Sequence, residues 1–300
     1  MKIAITGANG LLGQKLVSLL GNQENTEVLA TGLGPCRILN LPANARYEVC
    51  DISQPDDCQR VFGDFGPDFV IHSAALTNVD ECELDPEKCQ KLNVDATRNV
   101  LRACESSGAH LIHLSTDFIF DGTKGPLTEE DVPKPISIYG QSKLDAEAIV
   151  KSASCPWAIV RTILVYGIAP GLSRSNIILW VKSSLEQGKN IQVVDDQFRT
   201  PTLAEDLAMG CFLIAKHRAT GIYNISGREL MTPFEMAMAT CDYFGLDKGL
   251  ITKASAKTFS QPAKRPPRTG FDISKAERDL GYKPHSFAEG IRILAGQIKS

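Results

Sequence analysis

The feature that most constrains the fold is a glycine-rich junction at the start of the chain, where residues 2–13 read KIAITGANGLLG. Gly7, Gly10 and Gly13 follow a short β-rich apolar run at three-residue spacing and open a helical pattern. Glycines at such a strand–turn–helix junction let the backbone turn tightly and approach a pyrophosphate at the positive end of the helix. The spacing is G-x-x-G-x-x-G rather than G-x-G-x-x-G, and an ordinary tight turn is the alternative, but the context favours a dinucleotide-binding loop. The loop residues expected at the cofactor are Gly7, Asn9, Gly10, Leu11, Leu12 and Gly13.

Short β-rich runs alternate with longer helical patterns through the first half of the chain. One helical pattern is well delimited, because Asp85 and Pro86 form a typical N-terminus and Gly108 follows its end. Such alternation predicts βαβ units and a parallel sheet buried on both faces. The predicted fold class is therefore α/β, a Rossmann-type doubly wound parallel sheet. Strands are expected at 2–6, 26–31, 45–50, 68–73, 109–115 and 157–161, and helices at 10–20, 85–107 and 136–152.

The alternation weakens after about residue 165, where we expect the organisation to change. Residues 1–165 are predicted to form the NAD(P)-binding Rossmann domain, to which the chain returns at about 191–226. Residues 166–300 are predicted to form mainly a smaller, less regular substrate-binding domain. The elements expected in this part are helices at 203–217, 274–280 and 287–298 and a strand at 221–226.

Composition limits the classes of protein to which the chain can belong. Its 300 residues, 43% hydrophobic and 22% charged, can bury one large core or two adjoining cores. No apolar run approaches the ~20 residues needed to cross a bilayer, and Met1 and Lys2 lead directly into a strand rather than a signal peptide. The net charge of −3 and the lack of long basic runs give no electrostatic footprint for nucleic acid. We therefore expect a cytoplasmic protein with neither a membrane nor a nucleic-acid partner.

The nine cysteines are odd in number, widely scattered and without a C-x-x-C pair. This pattern favours reduced, mostly buried thiols over disulfides or a zinc site. We predict no metal site.

The choice of cofactor depends on the residues after the second predicted strand. An Asp or Glu there would hold the ribose 2′-hydroxyl of NAD, whereas a nearby Arg favours the 2′-phosphate of NADP. The sequence ATGLGPCR at 30–37 contains no acid and ends in Arg37. It favours NADP(H) over NAD(H), with a solvated loop arginine as the alternative interpretation.

Tyr139 and Lys143 lie four positions apart in the sequence IYGQSK, so both can face one cleft from the same side of a helix. A phenol titrates near 10, and an adjacent ammonium favours the phenolate and brings the group within range of acid–base catalysis. Ser115 and Thr116 end a predicted strand at the sheet edge where ligands bind, and one of these hydroxyls could bond a substrate carbonyl. A lone Y-x-x-x-K is common on amphipathic helices, but together with the glycine loop it predicts a catalytic site.

Several segments resemble one family, in order, along almost the entire chain. They include TGANGLLG, HSAALTNVDECELDP, LNVDATRNVLRAC, YGQSK, RTILVYG and RPPRTGFDISKAERDLGY. They are similar to segments of the extended short-chain dehydrogenases/reductases, and most closely to those of the dTDP-4-dehydrorhamnose reductase family. The patterns S-T-D-x-x-F-D-G at 115–122 and D-Q-F-x-x-P-T at 196–202 are specific to that family rather than to the superfamily.

The resemblance implies a role for each matching residue. Tyr139 would be the proton donor and would also contact the cofactor, Lys143 would be its modulator and the ribose anchor, and Thr116 the third member of the catalytic group. Asn93 matches a motif of the extended branch, with a polar residue on a helix surface as the alternative. The other implied contacts are Thr116 and Asp117 with the sugar, Ala74, Ala75 and Leu76 with the cofactor, and Asp51 and Ile52 with its adenine side.

The reaction that the resemblance implies is reduction of a nucleotide-linked 4-keto-sugar, dTDP-4-dehydrorhamnose, by hydride from the nicotinamide and a proton from Tyr139. Related dehydratases need an acidic residue after the Thr-Asp pair, where this chain has Phe118. Reduction without elimination of water is therefore expected.

Two positions depart from the family pattern in the expected sugar pocket. Leu164 replaces a Trp that contacts the sugar, and Arg199 replaces a Gly. Arg199 could meet a nucleotide diphosphate or cap a surface turn. Some relatives use Mg²⁺ at a dimer interface, but no comparable acidic cluster is evident here, and a homodimer is left open.

Two other functions are compatible with the resemblance. One is another enzyme of the superfamily, either a nucleotide-sugar epimerase or a reductase of a different keto-sugar. The other is a non-enzymatic, NADP-binding regulatory subunit, because the β subunit of methionine adenosyltransferase resembles the same family. Such a subunit can keep Tyr139, Lys143 and Thr116.

Overall fold

The computed structural model describes residues 1–172 and 176–298. Its strands are β1 (Lys2–Thr6), β2 (Glu27–Gly32), β3 (Ala45–Val49), β4 (Phe69–His72), β5 (His110–Thr116), β6 (Trp157–Thr162), β7 (Val165–Tyr166), β8 (Ile191–Val194), β9 (Thr202–Leu203), β10 (Gly221–Asn224) and β11 (Ile251–Ala254). Its α-helices are α1 (Leu11–Leu20), α2 (Pro55–Phe65), α3 (Val79–Leu84), α4 (Pro86–Cys89), α5 (Ala96–Ser107), α6 (Ile138–Lys151), α7 (Ile177–Glu186), α8 (Ala204–His217), α9 (Pro233–Phe244), α10 (Ser274–Leu280) and α11 (Phe287–Ile298). A π-helix (Gln90–Asp95) joins α4 to α5, and short 3₁₀ turns lie at Asp117–Ile119, Lys248–Leu250 and Ala256–Thr258.

Seven strands form one sheet in which every neighbouring pair is parallel, in the order β10-β6-β5-β4-β1-β2-β3. Ile3 of β1 lies opposite Val28 of β2 on one side and opposite Phe69 of β4 on the other. The chain thus builds outward from β1 to β3 and then returns to build the other half from β4. This reversal opens a crevice at the carboxyl ends of β1 and β4, where ligands bind in sheets of this kind. The predicted Rossmann-type doubly wound sheet is confirmed.

Apolar side chains cover both faces of this sheet. Ile3 and Ile5 share one face, where they join a buried cluster with residues of α1 and α8. Ala4 lies on the other face with Phe62 of α2 and Val100 of α5. Alternate side chains of a strand point to opposite faces, so a sheet between two helical layers needs apolar residues at successive positions. The strand sequences are therefore continuous apolar runs.

The long helix predicted after Asp85 is confirmed at both ends. Asp85 caps α4 by accepting a backbone amide bond, and Gly108 ends α5 with a left-handed φ of 71°. Between these ends, Gln90–Asp95 widens into a π-helix, an insertion that is frequent at functional sites. Helix α2 is not predicted from the sequence, although Pro55 in its first turn and Gly66 after its end are ordinary helix signals.

The part of the chain after β6 is built from shorter elements. β8 pairs with β11 and β7 with β9, each pair forming a two-stranded parallel sheet. Helices α7, α9 and α11 share a separate buried cluster that includes Ile178, Met236 and Leu294. By contrast, β10 pairs with β6, and α8 packs against α1, so both belong to the main sheet and its covering layer. Of the segment 191–226 that was predicted to return to the Rossmann domain, β10 and α8 thus belong to the main sheet and its covering layer, whereas β8 does not. The domain boundaries stay a prediction.

Eight of the nine cysteines are buried, and Cys36 is exposed. The prediction that the thiols are mostly buried is confirmed.

Across residues 1–172 and 176–298, no helix combines the length and apolar character needed to cross a membrane. In the same ranges, no three His, Cys, Asp or Glu side chains are grouped so that they could hold a metal ion.

Candidate active site

The glycine-rich junction forms a tight turn at the carboxyl end of β1. Gly7 has a left-handed φ of 70°, and a Cβ there would lie 2.9 Å from the Cα of Ala74. A Cβ on Gly13 would lie 2.3 Å from the carbonyl oxygen of Gly7. Gly10 is the N-cap of α1, so the first amides of that helix face a position that carries no side chain. This cradle fits the pyrophosphate of a dinucleotide, because backbone amides and the helix dipole both favour an anion there.

Asn9 ties this turn to the loop that follows β2. Its side-chain nitrogen donates to the carbonyl of Pro35 at 3.0 Å and to the Tyr47 hydroxyl at 2.9 Å. Its side-chain oxygen accepts from the backbone amide of Arg37 at 2.8 Å, and the Arg37 side chain is exposed. Arg37 is thereby held beside the turn, on the side of β2 where the adenosine ribose lies in folds of this kind. Tyr47 was not singled out in the sequence, since no local pattern marks it.

The other residues predicted near the adenine also lie at this sheet edge. Asp51 and Ile52 follow β3 and are half-buried, and Asp51 accepts a bond from the amide of Ser53 at 2.9 Å. Leu11 and Leu12 form the first turn of α1 and are half-buried as well. The structure brings these residues together around β1, β2 and β3, and their contact with a cofactor stays a prediction.

The loop after β4 runs beside the glycine turn and is fixed by Asn93. Ala74, Ala75 and Leu76 are half-buried in this loop. Asn93 accepts from the amide of Leu76 at 2.8 Å, donates to its carbonyl at 3.1 Å, and donates to Ser142 Oγ at 3.0 Å. Asn93 is only 1% exposed, so its interpretation as a helix-surface residue is wrong. It joins the loop predicted to line the cofactor to helix α6.

Tyr139 and Lys143 lie on the first two turns of α6. Ser137 caps this helix by accepting a bond from the amide of Gly140 at 3.2 Å. A Cβ on Gly140 would lie 2.1 Å from the carbonyl oxygen of Phe118, so a glycine is needed for α6 to approach the end of β5. The Tyr139 ring packs edge-to-face against Phe118, with 5.6 Å between centroids. The close approach therefore sets where the phenol lies.

Lys143 is buried one helical turn after Tyr139. Its Nζ lies 3.4 Å from Nε2 of His113 on β5. Burial lowers the pKa of Lys143 to about 8, and the carboxylate of Glu147 acts in the opposite direction. At neutral pH the side chain thus carries a charge, one helical turn from Tyr139 on the same face of α6.

The structure distinguishes the two hydroxyls at the end of β5. Ser115 Oγ donates to Glu147 at 2.7 Å, and Glu147 forms a buried bidentate ion pair with Arg161 at 2.8 and 3.0 Å. Thr116, the next residue, points to the opposite side of the strand and donates to Asp117 Oδ1 at 3.1 Å. Ser115 is thus committed to the ion pair, and Thr116 is the better placed hydroxyl for a substrate.

Asp117 belongs to a buried polar network. Its Oδ2 accepts a short bond from Thr269 and lies 3.6 Å from Nε of Arg199. Burial raises the pKa of Asp117, and the Arg199 guanidinium opposes that shift. Arg199 is 6% exposed and also donates to the carbonyls of Pro266 at 2.6 Å and Pro267 at 3.4 Å. Its interpretation as the cap of a surface turn is therefore wrong, whereas its contact with a diphosphate stays a prediction.

Leu164 lies just after β6, at the same sheet edge as Thr116. It is 43% exposed and has a φ of 38°, in the left-handed region that leucine rarely adopts. Strained backbone of this kind persists only where the surrounding structure enforces it. It clusters at ligand-binding and active sites. Its contact with a sugar stays a prediction.

The fold and the site together define a class of protein. A glycine-rich turn at the switch point of a Rossmann sheet, with a Tyr–Lys helix beside the neighbouring strand end, is the arrangement of the short-chain dehydrogenases/reductases. The profile of the RmlD substrate binding domain matches residues 1–299. The chain belongs to this family, and the resemblance drawn from the sequence is confirmed.

Two relatives of similar identity to this chain differ in the function that their names state. Methionine adenosyltransferase 2 subunit beta of Rattus norvegicus is 31% identical over 281 residues, which cover 92% of this chain and 81% of that protein. The "Probable low-salt glycan biosynthesis reductase Agl14" of Haloferax volcanii is 32% identical over 294 residues, which cover 97% of this chain and 96% of that protein.

Solved structures show the same architecture. A dTDP-4-dehydrorhamnose reductase from Clostridium acetobutylicum has a TM-score of 0.87 at 30% identity, and the match covers 100% of both chains. A dTDP-4-dehydrorhamnose reductase from Bacillus anthracis, in complex with NADP, has a TM-score of 0.84 at 27% identity and covers 99% of both chains.

Proposed function

We propose that this chain is an NADPH-dependent reductase of a nucleotide-linked 4-keto-sugar and that dTDP-4-dehydrorhamnose is its substrate. One observation carries the proposal: α6, which carries Tyr139 and Lys143, packs against the end of β5, which carries Thr116, at the edge of the sheet that also carries the glycine turn. Similarity to solved dTDP-4-dehydrorhamnose reductases over the full chain supports the substrate class. NADP in one of these structures supports the cofactor class.

The residues that would hold the cofactor lie along the crevice. The turn at Gly7 and the first amides of α1 would hold the pyrophosphate, and Arg37 would pair with the 2′-phosphate of NADP. Ala74 to Leu76 would line the next section of the cofactor, and Lys143 would bond the nicotinamide ribose. The bound nicotinamide supplies the hydride for reduction of the ketone.

The chain's own groups handle the proton and the charge on the sugar oxygen. Tyr139 gives its phenolic proton to that oxygen, and Lys143 stabilises the phenolate that remains. Thr116 turns its hydroxyl from Asp117 toward the same oxygen and donates a hydrogen bond as negative charge develops there. Phe118 packs against Tyr139 where a dehydratase would carry an acid, which supports reduction without loss of water.

The sugar nucleotide is proposed to lie between this edge and the elements after residue 165. Leu164 would contact the sugar, and Arg199 would shape the pocket by holding Asp117 or meet the diphosphate directly. A homodimer is compatible with this arrangement.

Oxidation of NADPH in the presence of dTDP-, UDP- and GDP-linked 4-keto-sugars tests the proposal. We expect turnover with dTDP-4-dehydrorhamnose and slower turnover with the other nucleotides. Tyr139→Phe should lower kcat by about 10²–10⁴-fold, because the general acid is lost, and should leave the Kd for NADPH unchanged. Turnover in Tyr139→Phe at the wild-type rate would remove Tyr139 from the mechanism.

A regulatory subunit is the second candidate function, and one finding favours it. The rat relative at 31% identity is by name a subunit of methionine adenosyltransferase. Stoichiometric copurification with such a synthetase, together with no NADPH oxidation on any keto-sugar, would support this candidate over the reductase.

A further inference from the structure

Lys143 has one hydrogen-bond partner within the described parts of the chain, the Nε2 atom of His113 at 3.4 Å. Lys143 is 3% exposed and His113 is fully buried. A buried ammonium needs hydrogen-bond acceptors, because its charge has lost the solvation of water. Here the acceptor is a single imidazole nitrogen instead of a carboxylate.

The contact fixes the tautomer of His113. An ammonium has protons to donate and no lone pair, so Nε2 must be the acceptor and the ring proton must sit on Nδ1. Nδ1 is buried and has no partner among residues 1–172 and 176–298. A phenylalanine would fill similar space without leaving a polar atom unpaired. Retention of an unsatisfied buried group is unfavourable for folding and points to another role.

His72 packs against His113 on the neighbouring strand, with 5.3 Å between ring centroids. Thr97 Oγ1 donates to the carbonyl of Asn93 at 2.6 Å, so it accepts from His72 Nε2 at 3.2 Å. His72 Nδ1 then accepts from Thr6 Oγ1 at 2.7 Å. Both nitrogens of His72 are thus occupied, and it offers His113 neither a proton nor an acceptor.

The remaining groups also keep His113 neutral. Burial and the charge of Lys143 hold the pKa of His113 well below its usual range. Glu147 stays ionised in its pair with Arg161, which together with Ser115 occupies its oxygens. The titratable groups that act on Lys143 and His113 from the packed elements are Glu147 on α6, Cys89 on α4 and His72 on β4. Tyr139 lies one helical turn before Lys143 on α6.

On the basis of the proposed function, we infer that His113 is a positioning residue for the reduction, whose Nε2 holds the Lys143 ammonium in place and keeps it charged beside Tyr139. Without this acceptor, no hydrogen bond on the β5 side of Lys143 offsets the loss of solvation that lowers its pKa. The ammonium then loses its proton at a lower pH, and Tyr139 loses the charge that favours its phenolate.

The pH profile of kcat and the pKa of Lys143, read from the ¹⁵Nζ resonance of [¹⁵N]lysine-labelled NADPH-bound protein, test the inference together. Lys143→Arg assigns the resonance. His113→Phe should move the alkaline limb of the profile and the Lys143 pKa down by about one pH unit, with about fivefold lower kcat at pH 8. The Tm should stay level or rise, because the unpaired nitrogen is removed.

Two amide variants distinguish the roles of Nε2 and Nδ1 of His113. The side-chain oxygen of Gln reaches the position of Nε2, whereas that of Asn reaches the position of Nδ1. His113→Gln should therefore restore the Lys143 pKa and the profile, and His113→Asn should not. His110→Phe is the matched control, because His110 is buried on the same strand with an unpaired Nε2 among the described residues and should leave both readouts unchanged.

Two results would overturn the inference. One is an unchanged Lys143 pKa in His113→Phe. The other is a loss of kcat that follows a loss of Tm equally in the Phe, Asn and Gln variants, which would show a structural role. The NMR readout needs no turnover, so a chain that reduces no keto-sugar but shows the predicted Lys143 shift would contradict the proposed function and leave the contact established.

Discussion

The cofactor side and the sugar side of the candidate site are built in different ways. On the cofactor side the decisive features belong to the backbone, where Gly7 and Gly13 leave no room for a Cβ. On the sugar side they are side chains that meet across the chain, such as Asp117 with Thr269, 152 positions away. The difference teaches that a nucleotide cradle follows from local turn chemistry, whereas the substrate pocket depends on contacts between residues that are distant in the sequence.

The largest expected effect on stability is at Arg199. Arg199→Met leaves the carboxylate of Asp117 buried without its ion-pair partner, and we expect the free energy of unfolding to fall by ~3–5 kcal/mol. Adding Asp117→Asn removes the unpaired charge and should recover most of that loss. Urea unfolding of the two single variants and the double variant measures the coupling.

An exposed ion pair provides the control for Arg199. Arg228 pairs with Glu277 at the surface with side-chain exposures of 58% and 33%, so Arg228→Met should change the free energy of unfolding by less than about 1 kcal/mol. Equal effects at Arg199 and Arg228 would show that the buried network does not hold the sugar side together.

On the cofactor side, Gly13→Ala should act through the backbone alone. The added methyl would lie 2.3 Å from the carbonyl oxygen of Gly7 and 2.5 Å from the Cα of Ala8, so the turn must shift. We expect a loss of ~1–3 kcal/mol in unfolding free energy, together with weaker NADPH binding. Fluorescence titration and thermal unfolding measure the two effects.

Gly63→Ala is the matched variant, because a Cβ on Gly63 in α2 meets nothing within 4 Å. This variant should stabilise the protein by up to about 1 kcal/mol through helix propensity and leave NADPH binding unchanged. If Gly13→Ala behaved like Gly63→Ala, the cradle would not depend on its glycines.

The pH dependence of turnover links the two sides through Lys143, whose pKa of about 8 lies below its usual 10.5. The proposed mechanism requires the Lys143 ammonium, so kcat should fall about tenfold per pH unit above the pKa. Between pH 8 and 10.5 the unfolded lysine binds the proton that the folded one has lost, so this group makes stability rise with pH. Circular dichroism over the same range should therefore show retained fold where turnover falls, and simultaneous unfolding would refute titration of Lys143 as the cause.

The smallest expected effect on stability is at Leu164. Leu164→Gly removes the steric strain of the left-handed φ, which stabilises the folded state. It also increases the conformational entropy of the unfolded chain, which is destabilising, so the free energy of unfolding should change by less than about 1 kcal/mol. The KM for the sugar should nevertheless rise by up to about tenfold, because an apolar contact is lost. An unchanged KM would place Leu164 outside the sugar pocket.

Most of the main sheet and the cofactor side were predictable from the sequence. Residues 2–13 carry the strand, the turn and the helix start in one stretch, and Asp85 and Gly108 mark the ends of a long helix. Each signal is local, since a cap or a left-handed turn restricts residue type at one position. The capping box that starts α9 at Thr232 and Glu235 is an equally local signal.

The polar network of the site was not predictable in the same way. Arg199 is identified in the sequence only as a departure from a pattern, and its burial against Asp117 depends on how Phe198 and Pro267 bring two distant segments together. His113 looks like an ordinary polar residue in an apolar strand, and only the packing of α6 on β5 sets it against Lys143. Contacts between distant elements leave no periodic signal in a single sequence.

The most direct measurement is the distance from Tyr139 Oη to the sugar O4 in a crystal structure with NADPH and dTDP-rhamnose bound. We expect ~2.6–3.2 Å, the reach of a proton-transferring hydrogen bond, with the sugar against Leu164. A sugar bound elsewhere, or a Tyr139 side chain turned away from O4 beyond hydrogen-bond reach, would contradict the assignment of Tyr139 as the proton donor.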